Sequence, residues 1–294
     1  MACVLSLLSM VLCLVVIPGF PAQQPLNWAA DDGKRVAELE AHGVRTEGTL
    51  VIMWMPAAIM SDTDRQALVD RLDRGIRALR EVVGSHEWQV VRDQKIAYYI
   101  SADQFIAHAT GRAAVFIPLV RVQDGRAPFL HEAGHELLAR GPVRGAADGR
   151  QRPSLWLLEG IADYVGQTAA GRTGVAEGDV FSVGGLEGVD RTCATRLEAL
   201  PAAEELVQFM GAPGGPSALF TTDRQKVAPT FYACSFSFTK FIVDRIGLPE
   251  TIELMPFVAD GASLQKRIES RTHQPMAALR AAWLKAIKAT PPPF

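Results

Sequence analysis

Residues 154–165 read SLWLLEGIADYV, a run that is apolar except for Glu159 and Asp163 in its interior. Read as a helix, the run gives Glu159 the surface neighbours Leu155, Trp156 and Ala162. A carboxylate among them is desolvated, which is costly unless a cation compensates it. Asp163 falls one turn further on, where a second negative charge repels the first. A purely structural helix gains nothing from this pattern. The plainer alternative, an exposed acidic edge on an amphipathic helix, has the wrong neighbours. The chain is therefore expected to bring a cation to this helix.

The means lie upstream, in FLHEAGHELLAR over residues 129–140. His131 and His135 are four apart, so on a helix their imidazoles point the same way, one turn from each other. Pro128 suits the first helical position, Leu130, Leu137 and Leu138 supply apolar positions, and Gly141-Pro142 ends the helix. Two neutral imidazoles at this spacing can bind one Zn²⁺ and leave two positions of its tetrahedron. Glu159 is then the third metal ligand. Asp163 is the expected acceptor for the far nitrogen of a zinc-bound histidine, which fixes that ring's tautomer. Glu132, adjacent to His131, is where a carboxylate reaches a zinc-bound water rather than the metal.

Taken together, His131, Glu132 and His135 followed by Glu159-Gly160-Ile161-Ala162-Asp163 resemble the gluzincin branch of zinc metallopeptidases. These are the relatives of thermolysin and of the membrane alanyl aminopeptidases, and the chain is especially similar to small bacterial peptidase-MA-like proteins. The resemblance implies an α+β, zincin-like metallopeptidase fold. In it an N-terminal twisted sheet with helices leads into a mostly helical part, with the active-site helix between them. It also implies one Zn²⁺ per chain, held by His131, His135 and Glu159, with Glu132 as general base. The thermolysin-like pattern has an Asp four residues after the third ligand, which matches Asp163.

Residues 229–247, PTFYACSFSFTKFIVDRIG, extend the similarity. The aminopeptidase relatives carry a Tyr in such a segment that donates to the oxyanion of the tetrahedral intermediate. Tyr232 is the matching residue, and a packing role is its other reading. Tyr164 is a weaker candidate, because it sits next to Asp163. Two departures stand out. The aminopeptidases grip a free N-terminus with Gly-x-Met-Glu-Asn, whereas the strand GRAAVFIPL from Gly111 has no carboxylate. Leu158 replaces the usual Asn before the third ligand. The resemblance thus implies hydrolysis of a peptide or protein substrate, as an endopeptidase rather than an aminopeptidase. Two other readings are a zinc-binding or scaffolding domain without turnover and a hydrolase of a non-peptide amide. Retention of Glu132 speaks against the first. His42, His86, His108 and His273 have no ligand spacing.

Thirty basic against thirty-two acidic side chains give a net charge of −2. That balance offers no electrostatic reason for a nucleic-acid partner or an anionic membrane surface. Residues 1–30 contain no Lys, Arg, Asp or Glu, and residues 4–17 are apolar apart from serine. This reads as a secretory signal over residues 1–22, cleaved after Ala22, with a buried N-terminal helix or strand as the alternative. The expected mature chain, 23–294, is exported to the periplasm or the medium. It has no membrane span after cleavage and fixes no oligomeric state. Cleavage removes Cys3 and Cys13. Cys193 and Cys234 then form one disulfide closing a loop of about forty residues, or remain two unconnected buried thiols.

No linker divides the chain, so a single domain is expected, strand-rich over about 45–120 and helical over about 128–290. Strands are predicted at 49–55, 95–100 and 114–119, the last an edge strand because of Pro118. Leu68, Val69, Leu72, Ile76, Leu79 and Val83 mark a helix over 62–83, with Ser61 or Asp62 as N-cap and Gly84 as its stop. Further helices are predicted at about 128–140, 153–168, 199–210, 228–246, 249–259 and 276–289. The Gly-rich stretch 169–195 reads as irregular.

Overall fold

The computed structural model describes residues 30–138, 153–174, 185–201, 203–220 and 223–289. The expected signal segment, with Cys3 and Cys13, lies outside the described residues, as does the helix stop at Gly141-Pro142.

Helix α1 (Asp32–His42) leads into the hairpin β1 (Val44–Glu47) and β2 (Val51–Met55). Asp73 fastens the hairpin turn, its carboxylate accepting from the amides of Thr49 at 2.6 Å and Leu50 at 2.9 Å. Helix α2 (Asp62–Val83) is capped by Ser61 and ends at Gly84 with φ 60°. It is the crossover that lets β3 (Ile96–Ser101) pair parallel to β2. Strands β4 (His108–Ala109) and β5 (Ala114–Pro118) complete a five-stranded sheet of order β1-β2-β3-β5-β4. Strand β5 is parallel to β3 and β4 is antiparallel to β5.

Both faces of the sheet are covered, which is why its strands read as continuous apolar runs. Val51, Met53, Met55, Ile96, Tyr98, Ile100, Val115 and Ile117 share one core with Leu72, Ile76 and Leu79 of α2. On the opposite face Leu39 and Val36 of α1 cover Trp54, Tyr99 and Phe116. His108 pins α1 to the sheet edge, its Nε2 2.8 Å from the Asp32 carboxylate and its ring stacked on Phe116.

After α3 (Leu119–Gln123) the described chain is helical: α4 (Phe129–Leu138), α5 (Leu155–Thr173), α6 (Gly185–Ala199), α7 (Ala203–Val207), α8 (Arg224–Ile246), α9 (Leu248–Ile252), α10 (Gly261–Thr272) and α11 (Met276–Lys288). The architecture is thus α+β, a sheet followed by a mostly helical part. Trp156 of α5, Phe238 of α8 and Trp283 of α11 are in contact in sequence, with centroids 4.9 and 5.2 Å apart and rings tilted by 58° and 64°. Cys193 and Cys234 form a disulfide joining α6 to α8.

Several expectations need correction. Pro118 does not mark an edge strand, because the two-residue β4 pairs with β5 only at Val115 and Phe116. Pro118 lies past that pairing, where its missing N–H interrupts nothing on the β4 side. The stretch 169–195 is not wholly irregular, since α5 runs on to Thr173 and α6 starts at Gly185. Gly171 there faces open space, and the disulfide holds α6 against α8. Tertiary packing overrides the weak local propensity of glycine. The helix expected over 249–259 stops after Ile252, and a separate 3-10 turn follows at Met255–Phe257. Pro256, inside that turn, cannot continue an α-helix. The helix expected over 199–210 shrinks to α7. Helices α1 and α10 were not predicted.

Candidate metal centre

Three helices build the site, and glycines set how closely they approach. A Cβ on Gly134 of α4 would sit 3.3 Å from Ala162 Cα of α5, and one on Gly166 of α5 would sit 3.2 Å from the His131 amide nitrogen. The α4–α5 crossing is therefore as close as backbone allows, and it brings Glu159 and Asp163 to the two histidines. On its other side α5 meets α8 at Gly160, where a Cβ would run into the Ser235 carbonyl and the Thr239 hydroxyl. That contact places Tyr232 beside the same cluster.

His131 Nε2 and His135 Nε2 lie 3.1 Å apart, and Glu159 Oε2 lies 3.4 Å from the first and 3.3 Å from the second. The three donors make a nearly equilateral triangle. A tetrahedral ion with ligand bonds of 2.0–2.1 Å separates its ligand atoms by about 3.3–3.4 Å. The donor set therefore fits one such ion. His131 Nδ1 donates to Asp163 Oδ1 at 2.7 Å, so in the neutral ring Nε2 is the nitrogen that carries the lone pair. Lone pairs and a carboxylate oxygen that converge so closely repel one another unless a cation or protons lie between them. Burial raises the Glu159 pKa, but the His135 and His131 imidazoles more than reverse this and hold the carboxyl well below its usual range.

Glu132 is buried, and its carboxylate falls within 4.8 Å of the two imidazole donors. His131, Glu132 and His135 thus form a second possible donor set, looser in its limit of 4.8 Å than the 3.3–3.4 Å at which Glu159 meets the same nitrogens. Burial above all raises the Glu132 pKa, against the attraction of His131 and His135. Tyr232 is buried with its ring 6.4 Å from that of His131. Its phenol pKa is pushed up, first by burial and then by the Glu159 charge, so the O–H stays a donor at neutral pH. Tyr164 instead turns to Phe236, with ring centroids 6.4 Å apart, and interacts with Asp244 and Lys240. It belongs to another part of the molecule.

The structure thus brings together His131, Glu132, His135, Glu159, Asp163 and Tyr232, and it joins Cys193 to Cys234. Two residues near the site carry no recognisable sequence signal. Glu136, fully buried, accepts from the amides of Thr110 at 2.6 Å, Gly111 at 2.9 Å and Ala113 at 2.8 Å. It ties the β4–β5 loop, including Ala113 at φ 59°, to the helix of the histidines. Arg224 donates from Nη2 to Tyr232 Oη at 2.7 Å. An acidic residue following His135 was the only trace of Glu136 in the sequence, and nothing marked Arg224 among the thirty basic residues.

Comparison with known proteins gives little. The sequence matches no protein family and no curated protein. Among solved structures, the chain is similar to native yeast LTA4 hydrolase, with 12% identity and a TM-score of 0.45. That match covers 86% of this chain and 40% of the other, so this chain spans less than half the length of that neighbour.

Proposed function

We propose that this protein is a zinc-dependent hydrolase of the gluzincin type that cleaves peptide bonds. The observation that carries the reading is the triangle of His131 Nε2, His135 Nε2 and Glu159 Oε2, with edges of 3.1, 3.4 and 3.3 Å. Those three residues would hold the ion. Bound there, zinc supplies Lewis acidity towards the scissile carbonyl and the attacking water. Glu132 takes the proton of the water and returns it to the leaving amine. Its carboxylate lies within 4.8 Å of the two imidazole donors, close to where that water would be held. Tyr232 donates its O–H to the oxyanion as charge develops there. Asp163 favours the His131 tautomer in which Nε2 is the ligating nitrogen.

The finer reading is a peptidase that does not grip a free amine. Residues 111–119 carry no carboxylate that could do so. The disulfide supports an exported chain, since such bonds persist in oxidising compartments. A domain with purely structural zinc has no use for a buried carboxylate beside the donor triangle.

The test is cleavage of a diverse peptide library by the zinc-loaded chain, read by mass spectrometry, with Glu132→Gln as control. Cuts that vanish in the variant and with chelator, while the variant keeps its zinc, are expected. Full activity in Glu132→Gln would remove Glu132 as the base. A folded, zinc-loaded chain that cuts nothing would overturn the peptidase reading.

A further inference from the structure

Arg224 opens α8, two turns ahead of Tyr232, and its Nη2 donates to Tyr232 Oη at 2.7 Å. Its Nη1 donates to the carbonyl of Leu219, which precedes α8, at 3.1 Å, and its guanidinium carbon lies 5.4 Å from the phenol centroid. The guanidinium is therefore anchored outside α8 as well as on it. Pro229 lies between the two residues and lacks the N–H of its helical position, so the bond from Arg224 to Tyr232 spans a weak point in the backbone ladder.

The Tyr232 ring has other supports. Beyond the first turn, α6 braces α8 along one side. Arg196 donates to the Pro229 carbonyl, Cys193 is bonded to Cys234, and Asp190 accepts from the Ser237 hydroxyl at 2.7 Å. Those three residues of α6 are spaced three apart, on one side of a helix. The ring itself is buried and touches Phe231 and His131, with centroids 6.0 and 6.4 Å away. What the bond from Arg224 adds is felt at the hydroxyl.

A phenolic oxygen carries one proton and can also accept. Conjugation keeps the O–H near the ring plane, facing one way or the other. A cationic N–H that donates to the oxygen prevents the proton from facing it, so the proton takes the opposite position. The same charge polarises the O–H into a stronger donor. Unrestrained rotation would leave the hydroxyl aimed part of the time away from any developing charge, and a donor counts only where it meets that charge.

We infer that Arg224 is a positioning residue, which aims the Tyr232 O–H at the oxyanion and strengthens it as a donor. The inference rests on the hydrolase reading, because it deepens the role of Tyr232 in that site. Arg224 acts through Tyr232.

A kinetic double-mutant cycle tests this on the zinc-loaded chain, with a peptide amide that the chain cuts as substrate. Tyr232→Phe should lower kcat about 100–1,000-fold, as loss of an oxyanion donor does. Arg224→Met removes every donor and keeps an unbranched stem. It should lower kcat about 10–100-fold with KM unchanged, since the lost interaction is made only in the transition state. Arg224→Lys should recover part of the loss, because one charged donor remains. In the Tyr232→Phe background, Arg224→Met should cost less than about twofold. A phosphinic peptide, a stable tetrahedral anion, should bind the Arg224→Met protein about 10–100-fold more weakly than the parent. Zinc content and circular dichroism show that site and fold persist. An Arg224→Met protein that keeps the parent kcat, raises KM alone, or loses as much with Phe at position 232 overturns the inference. If Arg224→Met does not fold, Arg224→Lys decides: a loss that disappears in the Tyr232→Phe background supports the inference, and full additivity ends it. A parent chain that cuts no peptide and binds no phosphinic peptide overturns the hydrolase reading, and the inference with it.

Discussion

Gly160 joins fold and site, and replacing it by alanine tests both. The added Cβ would overlap the backbone carbonyl of Ser235 and the Thr239 hydroxyl, and the carbonyl can yield only if α8 moves. Overpacking of this kind costs about 1–3 kcal/mol, and a contact with backbone belongs at the upper end. Alanine returns about 1 kcal/mol through its better helix propensity. The net expectation is a loss of about 2 kcal/mol, or about 4–8 °C in Tm for a chain of this size. Gly171→Ala in the same helix is the control. No atom lies within 4 Å of its would-be Cβ, so the same chemical change should stabilise by up to about 1 kcal/mol. Thermal unfolding is followed with chelator present, because bound metal would stabilise each variant by mass action. Gly160→Ala should also weaken zinc binding by displacing Glu159 from the histidines, whereas Gly171→Ala should not. If Gly160→Ala melts at or above the parent temperature, the close α5–α8 crossing is not what positions the site.

Four further changes probe the supports around it. Glu136→Gln puts an amide NH2 against backbone donors, so it should cost about 1–3 kcal/mol in denaturant unfolding; unchanged stability would mean that the β4–β5 loop does not depend on it. Asp163→Asn should lower zinc affinity about 10–100-fold by chelator competition while the fold persists. Cys193→Ser with Cys234→Ser removes a cross-link between residues 41 apart in sequence and should cost about 4 kcal/mol. Acid should release zinc, because imidazoles must be neutral to ligate. Burial lowers the His131 pKa, but Asp163 and then Glu159 more than reverse this, so protons compete with metal at neutral pH and win increasingly as pH falls. An affinity that stays constant between about pH 8 and about pH 6 would refute this.

What the sequence disclosed was the chemistry that cannot be hidden in a helix. Glu159 and Asp163 in an apolar run could be explained only by a charge coming from elsewhere, and His131 and His135 one turn apart were its evident carriers. The structure meets both with distances near 3 Å. Strands β2, β3 and β5 were legible for a similar reason, since strands covered on both faces repeat apolar residues without interruption, whereas β1, with the half-exposed sequence VRTE, and the two-residue β4 were not. Helix α6 was not, because its stability is borrowed. Gly185 and Gly188 disfavour it locally, while Val189 and Cys193 packed towards α8 decide the outcome.

The same distinction explains which site residues stayed invisible. A ligand or a base must have a particular chemistry at a particular spacing, and spacing survives in one dimension. Glu136 acts by accepting bonds from a loop that lies more than twenty residues earlier, and Arg224 by reaching Tyr232 across two helical turns. Any acid or any arginine would look the same in the sequence, because what defines each is the partner that folding supplies. Groups that choose a substrate are expected to be of this second kind. The metal chemistry constrains its own residues tightly, whereas a supporting residue can arrive from any element that folding brings beside the metal centre.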